Sequence, residues 1–133
     1  SDADKIFGLD KVDMKKKIYV VEGPIDSLFL DNCIAVAGAD FNNVQGDLTV
    51  IYDNEPRNKE IVKQIEKTIS QGRSVVLWPD SMKEKDINDM ILSGYTKLEI
   101  QKIIEDNTFE GVSAKLRFTG WKKIDERSVS KTI

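Results

Sequence analysis

The chain contains four short apolar runs, and their positions are the basis for predicting its strands and helices. They span residues 18–21, 34–37, 48–52 and 74–77. Each run is rich in valine, isoleucine or alanine and has no polar alternation, which is typical of a strand buried on both faces. The runs therefore predict four strands of a buried sheet.

Segments with helical character separate these runs. Helices are predicted at 24–31, from after Pro56 to near Gly72, at 86–92, from Thr96 onward, and from 113 to 124. In the second of them, Ile61, Ile65 and Ile69 recur every four residues and form one apolar face. Residues 114–118 also alternate in a way that suits a strand, although the spacing of Leu116, Trp121 and Ile124 towards one face suits a helix slightly better. The alternation predicts an α/β fold with a mostly parallel four-stranded sheet flanked by helices.

Carboxylates follow three of the apolar runs. Glu22 and Asp26 follow the first, Asp53 and Glu55 the third, and Asp80, Asp86 and Asp89 the fourth, with the amide of Asn88 among them. The carboxyl ends of parallel strands meet at one edge of a sheet, where open α/β proteins bind their ligands. We therefore expect these side chains to form one oxygen-rich site suited to Mg²⁺.

The composition narrows the chemistry of such a site. The chain has no histidine and a single cysteine, Cys33. Ser-His and Cys-His nucleophilic catalysis are thereby excluded within this chain, and so is a Cys/His zinc site. Any metal is expected to be held by oxygen, as Mg²⁺, Mn²⁺ or Ca²⁺ are. With 133 residues, no bilayer-length apolar stretch and no secretory leader, the chain is expected to be one compact domain in a reducing compartment, without membrane association.

The net charge of −3 conceals an asymmetry. Residues 1–110 carry 14 basic and 21 acidic side chains, whereas residues 111–133 carry 6 basic and 2 acidic ones. The basic residues Lys115, Arg117, Lys122 and Lys123 are candidate nucleic-acid contacts, with a solvated charged tail as the alternative. The lysines at 59, 63 and 67 and those at 15, 16 and 17 are read first as solvated surface, and second as phosphate-steering groups.

The acidic motifs, taken together, resemble those of the Toprim domain, which bacterial-type primases, topoisomerases and a group of nucleases share. The resemblance rests on the Glu-Gly-x-x-Asp turn at 22–26, the Asp-x-acid stretch at 53–55 and the third acidic stretch at 86–89. The sequence of residues 20–30, followed by Ala-Val-Ala-Gly-Ala-Asp at 35–40, is most similar to DnaG-like primases of tailed phages. The resemblance implies a Rossmann-like Toprim domain at 18–107, a lead-in or linker at 1–17 from a missing N-terminal part, and a C-terminal basic helical extension at 108–133.

The family's functional residues carry over position by position. Glu22 matches the family's invariant acid, and Asp26 the second acid of the same turn. Asp53 matches the first acid of the family's Asp-x-Asp, while the second is a glutamate, Glu55. Asp86 matches the first acid of the third stretch. Two departures follow: Glu55 is one methylene longer than aspartate, and Asn88, where some members have a second aspartate, offers a neutral oxygen.

The resemblance thus implies three sets of site residues, of which the first two overlap. The catalytic residues are Glu22 and Asp53; the ligands of Mg²⁺ or Mn²⁺ are Glu22, Asp26, Asp53, Glu55 and Asp86; and the secondary ligands are Asn88, Asp89 and Asp80. Glu22 is left open between metal ligand and general acid or base. Because Asn88 is neutral, weaker or fewer bound metals are expected than in members with two aspartates there.

By the same resemblance, the parent protein is a DNA primase, a nucleotidyltransferase that makes short RNA primers on a single-stranded DNA template from ribonucleoside triphosphates. The zinc-binding module and the basic subdomain of such primases are not visible in this chain, so it is expected to be a fragment without primer synthesis of its own. A replicative helicase is the expected partner, and the cytoplasm of the host cell the expected location if the protein is phage-encoded.

Two further functions and a purely structural interpretation remain open at this point. A Toprim nuclease would use the same metals to cleave phosphodiesters, and a non-catalytic Toprim domain would serve as a replisome docking piece. Each acid also has a structural explanation. Asp86 suits a helix N-cap with Asp89 in the first turn, Asp26 suits a helix dipole, and residues 53–56 suit a turn.

Overall fold

The structure, a computed structural model, describes residues 6–39 and 41–123. Its strands are β1 (Ile6–Phe7), β2 (Ile18–Val21), β3 (Cys33–Val36), β4 (Leu48–Ile51), β5 (Ser74–Val76) and β6 (Thr108–Phe109). Its α-helices are α1 (Pro24–Ser27), α2 (Lys59–Ser70), α3 (Ile87–Leu92), α4 (Lys97–Asp106) and α5 (Gly111–Trp121).

The strands form one six-stranded sheet in the order β1-β3-β2-β4-β5-β6. The four central strands are parallel, and the two edge strands pair antiparallel with them. This confirms the predicted α/β fold, and the four predicted strands are the four central ones. The sheet has two more strands than predicted, because β1 and β6 have two residues each and are too short to show a hydrophobic period.

Each central strand is buried on both of its faces. In β2, Ile18 and Val20 face the side covered by α2 and α5, whereas Tyr19 and Val21 face the side covered by α3 and α4. This arrangement explains why the strands read as continuous apolar runs without alternation. The two helical layers leave the carboxyl edge of the parallel strands as the place where polar loops collect.

The helices follow the predicted order with changed bounds. The first is shorter than predicted, since α1 ends at Ser27 and turns follow it. The last begins after Glu110, and its buried residues are Ala114, Phe118 and Trp121, whereas Leu116, predicted to lie on the apolar face, is exposed. Ile124 and the rest of the predicted extension lie outside the described residues. Within the described ranges, no helix is long and apolar enough to cross a membrane.

Candidate metal site

The order of the strands brings the acidic loops together. Strands β2, β4 and β5 are direct neighbours, and their parallel register places their carboxyl ends side by side. Glu22 follows β2 directly, Asp53 lies two residues after β4, and the loop that leads to Asp86 follows β5. Three segments far apart in the sequence therefore meet at one edge, as the sequence predicted.

Three aspartates converge at this edge. Asp26, Asp53 and Asp86 each offer a carboxylate oxygen, and these oxygens lie within 4.8 Å of one another. Asp26 is buried, and the other two are partly buried. A cluster of three carboxylates at this separation has the geometry in which one cation contacts all three.

Asp26 is held by the helix across the edge. It lies in the first turn of α1, where Pro24 begins the helix without an unsatisfied N–H. Its Oδ1 accepts the backbone N–H of Asn88 in α3 over 2.9 Å. A side chain in place of Gly23 would put its Cβ 3.4 Å from Oδ2 of Asp26, so glycine leaves room around this carboxylate.

Asp86 caps α3 and also faces the cluster. Its Oδ1 accepts the backbone N–H of Asp89 over 2.8 Å, which is the N-cap interaction expected from the sequence. The Nζ of Lys85 lies 3.9 Å from its other oxygen, Oδ2. Capping and participation in the acidic cluster therefore coexist in one side chain.

Asn54 connects two acidic segments, the turn that contains Asp53 and the loop that leads to Asp86. Its backbone N–H donates to the carbonyl of Lys85 over 2.6 Å. Its side-chain Nδ2 donates to the carbonyls of Met82 over 2.9 Å and Glu84 over 3.2 Å. These three hydrogen bonds hold the two acidic segments in a fixed relation.

The remaining atom of the same amide contacts the last described helix. Asn54 Oδ1 accepts the indole N–H of Trp121, at the end of α5. Sequence reasoning missed Asn54, which it treated only as part of a turn. The residue type gave one usable signal, since asparagine between two acids in a turn offers both a donor and an acceptor.

Two aspartates of the cluster have raised pKa values. Burial and, in decreasing order, the carboxylates of Asp86, Asp26, Glu55 and Glu22 together raise the pKa of Asp53 to about 7. Burial also raises the pKa of Asp26, with the N–H of Asn88 opposing and the carboxylates of Asp86 and Asp89 adding to the effect. Like charges are thus gathered at this edge without enough local positive charge to balance them.

The other predicted site residues lie around the cluster. Glu22 is exposed and Glu55 partly buried; neither belongs to the group within 4.8 Å, yet both lie near enough to raise the pKa of Asp53. The backbone N–H of Asn88 donates to Asp26, and the backbone N–H of Asp89 donates to Asp86. Asp80 lies apart, with its Oδ1 3.5 Å from the Nη2 of Arg117.

The four basic residues of the predicted extension have different surroundings. Arg117 donates from Nη2 to the carbonyl of Trp78 over 2.8 Å and is mostly buried. The Nζ of Lys122 lies 4.9 Å from the centre of the Phe118 ring, whereas Lys115 and Lys123 are exposed. Arg117 is therefore engaged with the protein itself, and the three lysines border the surface.

The residues of the cluster fit a hard divalent cation. One oxygen of Asp26 and one of Asp86 accept backbone N–H groups, which fix the orientation of both carboxylates while leaving acceptor capacity for a cation. The raised pKa values of Asp53 and Asp26 arise from burial and carboxylate repulsion, and a bound divalent cation would offset the repulsion. All donors are carboxylate oxygens, the type that Mg²⁺ and Mn²⁺ accept.

Comparison with known proteins gives one informative relationship. No protein-family model matches the chain. The DNA primase of enterobacteria phage T4 is 38% identical to it over 134 aligned positions, which cover 92% of this chain and 37% of that primase. The chain thus spans little more than a third of the length of the relative that it matches. It is related in sequence to part of a DNA primase.

Proposed function

We propose that this chain is the metal-binding, Toprim-like part of a DNA primase, in which it supports nucleotidyl transfer during RNA primer synthesis. The observation that carries the proposal is the convergence of Asp26, Asp53 and Asp86 at the carboxyl edge of the sheet. The similarity to a phage DNA primase supports the assignment to this class of enzyme. The whole activity is proposed for a longer protein, because the relative is much longer than the aligned stretch.

In this proposal the three aspartates hold Mg²⁺ or Mn²⁺ at the sheet edge. The ion would neutralise charge on the triphosphate of the incoming nucleotide and orient the reacting oxygens. Asp53 is the ligand that changes most on binding, since its pKa of about 7 leaves it partly protonated at neutral pH without a cation. Asp26 and Asp86 are held in place beforehand by backbone N–H groups.

Glu22 and Glu55 are proposed to serve at the rim of the same site. Glu22 is exposed and adjacent to the cluster, so it can reach a substrate atom or a water bound to the ion. We assign it to proton transfer or to outer coordination, and Glu55 to an additional ligand of the triphosphate-bound ion. Asn88, Asp89 and Asp80 are secondary. A replicative helicase as partner and the host cytoplasm as location belong to the same proposal.

Calorimetric titration with Mn²⁺ tests the metal site. We expect the chain to bind Mn²⁺, and the variant Asp53→Asn to lose at least about tenfold in affinity, because a ligand and a negative charge are removed. Asp106→Asn is the matched control: it removes an exposed carboxylate on α4, whose partner Lys102 lies 3.1 Å away, and should leave Mn²⁺ affinity unchanged. Equal binding by the wild type and Asp53→Asn would contradict the proposed site.

Activity assays separate the enzyme classes. With a single-stranded circular template, ribonucleoside triphosphates and Mn²⁺, we expect this chain alone to make no primers. Template-dependent synthesis by the chain alone would show that no further part is needed. Metal-dependent nicking of the template that Glu22→Gln abolishes would assign the site to a nuclease instead.

A further inference from the structure

A groove with basic walls lies between α2 and α5, which pack together on one face of the sheet. It has a volume of about 450 Å³ and runs between the start of α2 and the end of α5. Its charged lining residues are Arg57, Lys59, Lys63, Lys122 and Lys123, with Glu66 as the one acid. The groove is therefore strongly positive on a chain whose net charge is −3.

The positive surface continues along α5. A second cavity of about 250 Å³ is lined by Glu66, Lys115 and Lys122, among others, so Lys122 borders both cavities. The two cavities thus share lining residues. A ligand with several phosphates can contact the cations of both, whereas a single small anion cannot.

These cations have few charged partners within the protein. Among the described residues, no carboxylate lies within 4.0 Å of the side-chain nitrogens of the six basic residues named above. Six like charges that line two cavities repel one another, and a bound polyanion would relieve that repulsion. Within the part of the chain that the structure describes, these cations have no carboxylate partner, so an external polyanion can pair with them.

One end of the groove is close in sequence to the acidic turn. Arg57 lies two residues after Glu55, in the segment that leads from the acidic turn into α2. The aromatic residues Phe118 and Trp121 beneath the groove are buried and cannot stack with bases. The groove can therefore contact a nucleic acid by charge pairing with its phosphates, which does not depend on base sequence.

We propose that this groove binds the sugar-phosphate backbone of single-stranded DNA and leads it toward the acidic edge. The inference rests on the proposed function only in its choice of single-stranded DNA as the polyanion. Lysines near the start of α2 and at the end of α5, about sixty residues apart in the sequence, act on one strand because the fold places them on the same groove.

Fluorescence anisotropy with a labelled oligo-dT tests the proposal. The measurements are made in EDTA over a series of NaCl concentrations, so that they do not depend on the metal site. The groove variant carries Lys63→Gln, Lys122→Gln and Lys123→Gln, and the control carries Lys15→Gln, Lys16→Gln and Lys17→Gln. Both remove three positive charges, but the control residues are exposed lysines of the lead-in, which do not line the groove.

We expect the groove variant to lose about tenfold or more in affinity and the salt dependence to become shallower by about two, as three lost phosphate contacts require. The control should lose far less. A third variant, with Lys63→Arg, Lys122→Arg and Lys123→Arg, should retain binding because it keeps the charges. The thermal unfolding midpoint of the groove variant, compared with the wild type, checks that a loss of binding is not caused by misfolding.

Three results would overturn the proposal. The first is an absence of measurable binding by the wild type at low salt. The second is an equal loss in the groove variant and the control, which would mean that only net charge matters. The third is groove-dependent binding of poly-glutamate that oligo-dT fails to displace, which would assign the groove to an acidic protein. Because EDTA is present throughout, failure here leaves the Mn²⁺ result untouched.

Discussion

Trp121 donates its indole N–H to the side-chain oxygen of Asn54 over 3.0 Å, which joins the end of α5 to the turn after β4. Asn54 is the neighbour of Asp53 in sequence, and its amide nitrogen holds the loop before Asp86. A residue near the end of the described chain thus supports the geometry of the acidic cluster without touching it. Asn54 and Trp121 are positioning residues in this sense.

Replacing Asn54 should therefore affect both stability and metal binding. Asn54→Ala removes three side-chain hydrogen bonds, those to the carbonyls of Met82 and Glu84 and that from the indole of Trp121. We expect a loss of about 2–3 kcal/mol in the free energy of unfolding. Trp121→Phe removes only the indole donor and should cost about 1 kcal/mol from the hydrogen bond, with some further loss of packing. Urea unfolding of both variants and of the double variant measures the coupling between the two residues.

The metal affinity distinguishes positioning from general destabilisation. We expect Asn54→Ala to weaken Mn²⁺ binding in calorimetry at a temperature where the variant is fully folded. Thr96→Ala, which removes the capping box at the start of α4, should also lower stability by about 1 kcal/mol and should leave Mn²⁺ affinity unchanged. Unchanged Mn²⁺ affinity in Asn54→Ala would show that the loop keeps its place without the amide.

Two substitutions at Asp86 separate its two roles. Asparagine caps a helix about as well as aspartate, so Asp86→Asn should keep the free energy of unfolding within about 0.5 kcal/mol of the wild type, apart from any gain from reduced repulsion. It should nevertheless weaken Mn²⁺ binding about tenfold or more, because an anionic ligand is lost. Asp86→Ala should lose both the cap, at about 1 kcal/mol, and the metal affinity. Unchanged Mn²⁺ affinity in Asp86→Asn would show that Asp86 acts only as a helix cap.

Asp53 gives the stability of the metal-free protein a defined pH dependence. Its pKa is about 7 in the folded protein against an ordinary value of 3.8, so between these values the folded state holds more protons than the unfolded state. Stability therefore falls as pH rises through this window, and the penalty is complete above about pH 7. Asp53→Asn removes the penalty, which we set at about 1–2 kcal/mol after allowing for solvent screening.

Thermal unfolding in EDTA across this pH range checks the sign. We expect Asp53→Asn to be more stable than the wild type at pH values above the window and to match it below the window. Adding Mn²⁺ should reverse the order, since the ion stabilises the wild type by mass action and has a weaker site in the variant. A wild type that becomes more stable than Asp53→Asn as pH rises without metal would contradict the electrostatic description of the cluster.

Arg117 should behave as a structural residue. Its guanidinium donates to the carbonyl of Trp78 over 2.8 Å and lies 3.5 Å from a carboxylate oxygen of Asp80. We expect Arg117→Gln to lower the free energy of unfolding by about 1–2 kcal/mol, from the lost charge-assisted hydrogen bond. Oligo-dT affinity should change less than in a groove substitution such as Lys123→Gln, which serves as the comparison. A larger loss of DNA affinity in Arg117→Gln would restore it as a nucleic-acid contact.

Much of the fold was predictable because the central strands are buried on both faces. Residues 18–21 form an uninterrupted apolar run for that reason, and the acids that follow such runs were expected at one edge. The edge strands were not predictable, because Ile6–Phe7 and Thr108–Phe109 become strands only through pairing with β3 and β5. In α5, Leu116 looked like a core residue, yet Ala114 takes the buried position next to the sheet.

The three aspartates of the cluster were predictable from the sequence, whereas the hydrogen bonds that position them were not. Asp26, Asp53 and Asp86 were identified from their places after apolar runs, and the structure brings them together. The ties that hold them, from Asn88 to Asp26 and from Asn54 to the carbonyls of Met82 and Glu84, involve backbone groups about 28 to 62 residues away in the chain. Local sequence patterns carry no signal for partners at that separation. The lysines of α2 and of the C-terminal segment were named separately, and their meeting in one groove was not predictable for the same reason.

The separation of the three aspartates along the chain has a consequence for folding. Asp26, Asp53 and Asp86 meet only when β2, β4 and β5 have all paired, so the unfolded chain and any state that lacks β5 have no three-carboxylate cluster. A divalent cation that needs all three oxygens therefore recognises only a chain in which these three strands have paired. We expect Mn²⁺ to slow unfolding without accelerating the early steps of refolding, and its binding to report when the three strands have come together.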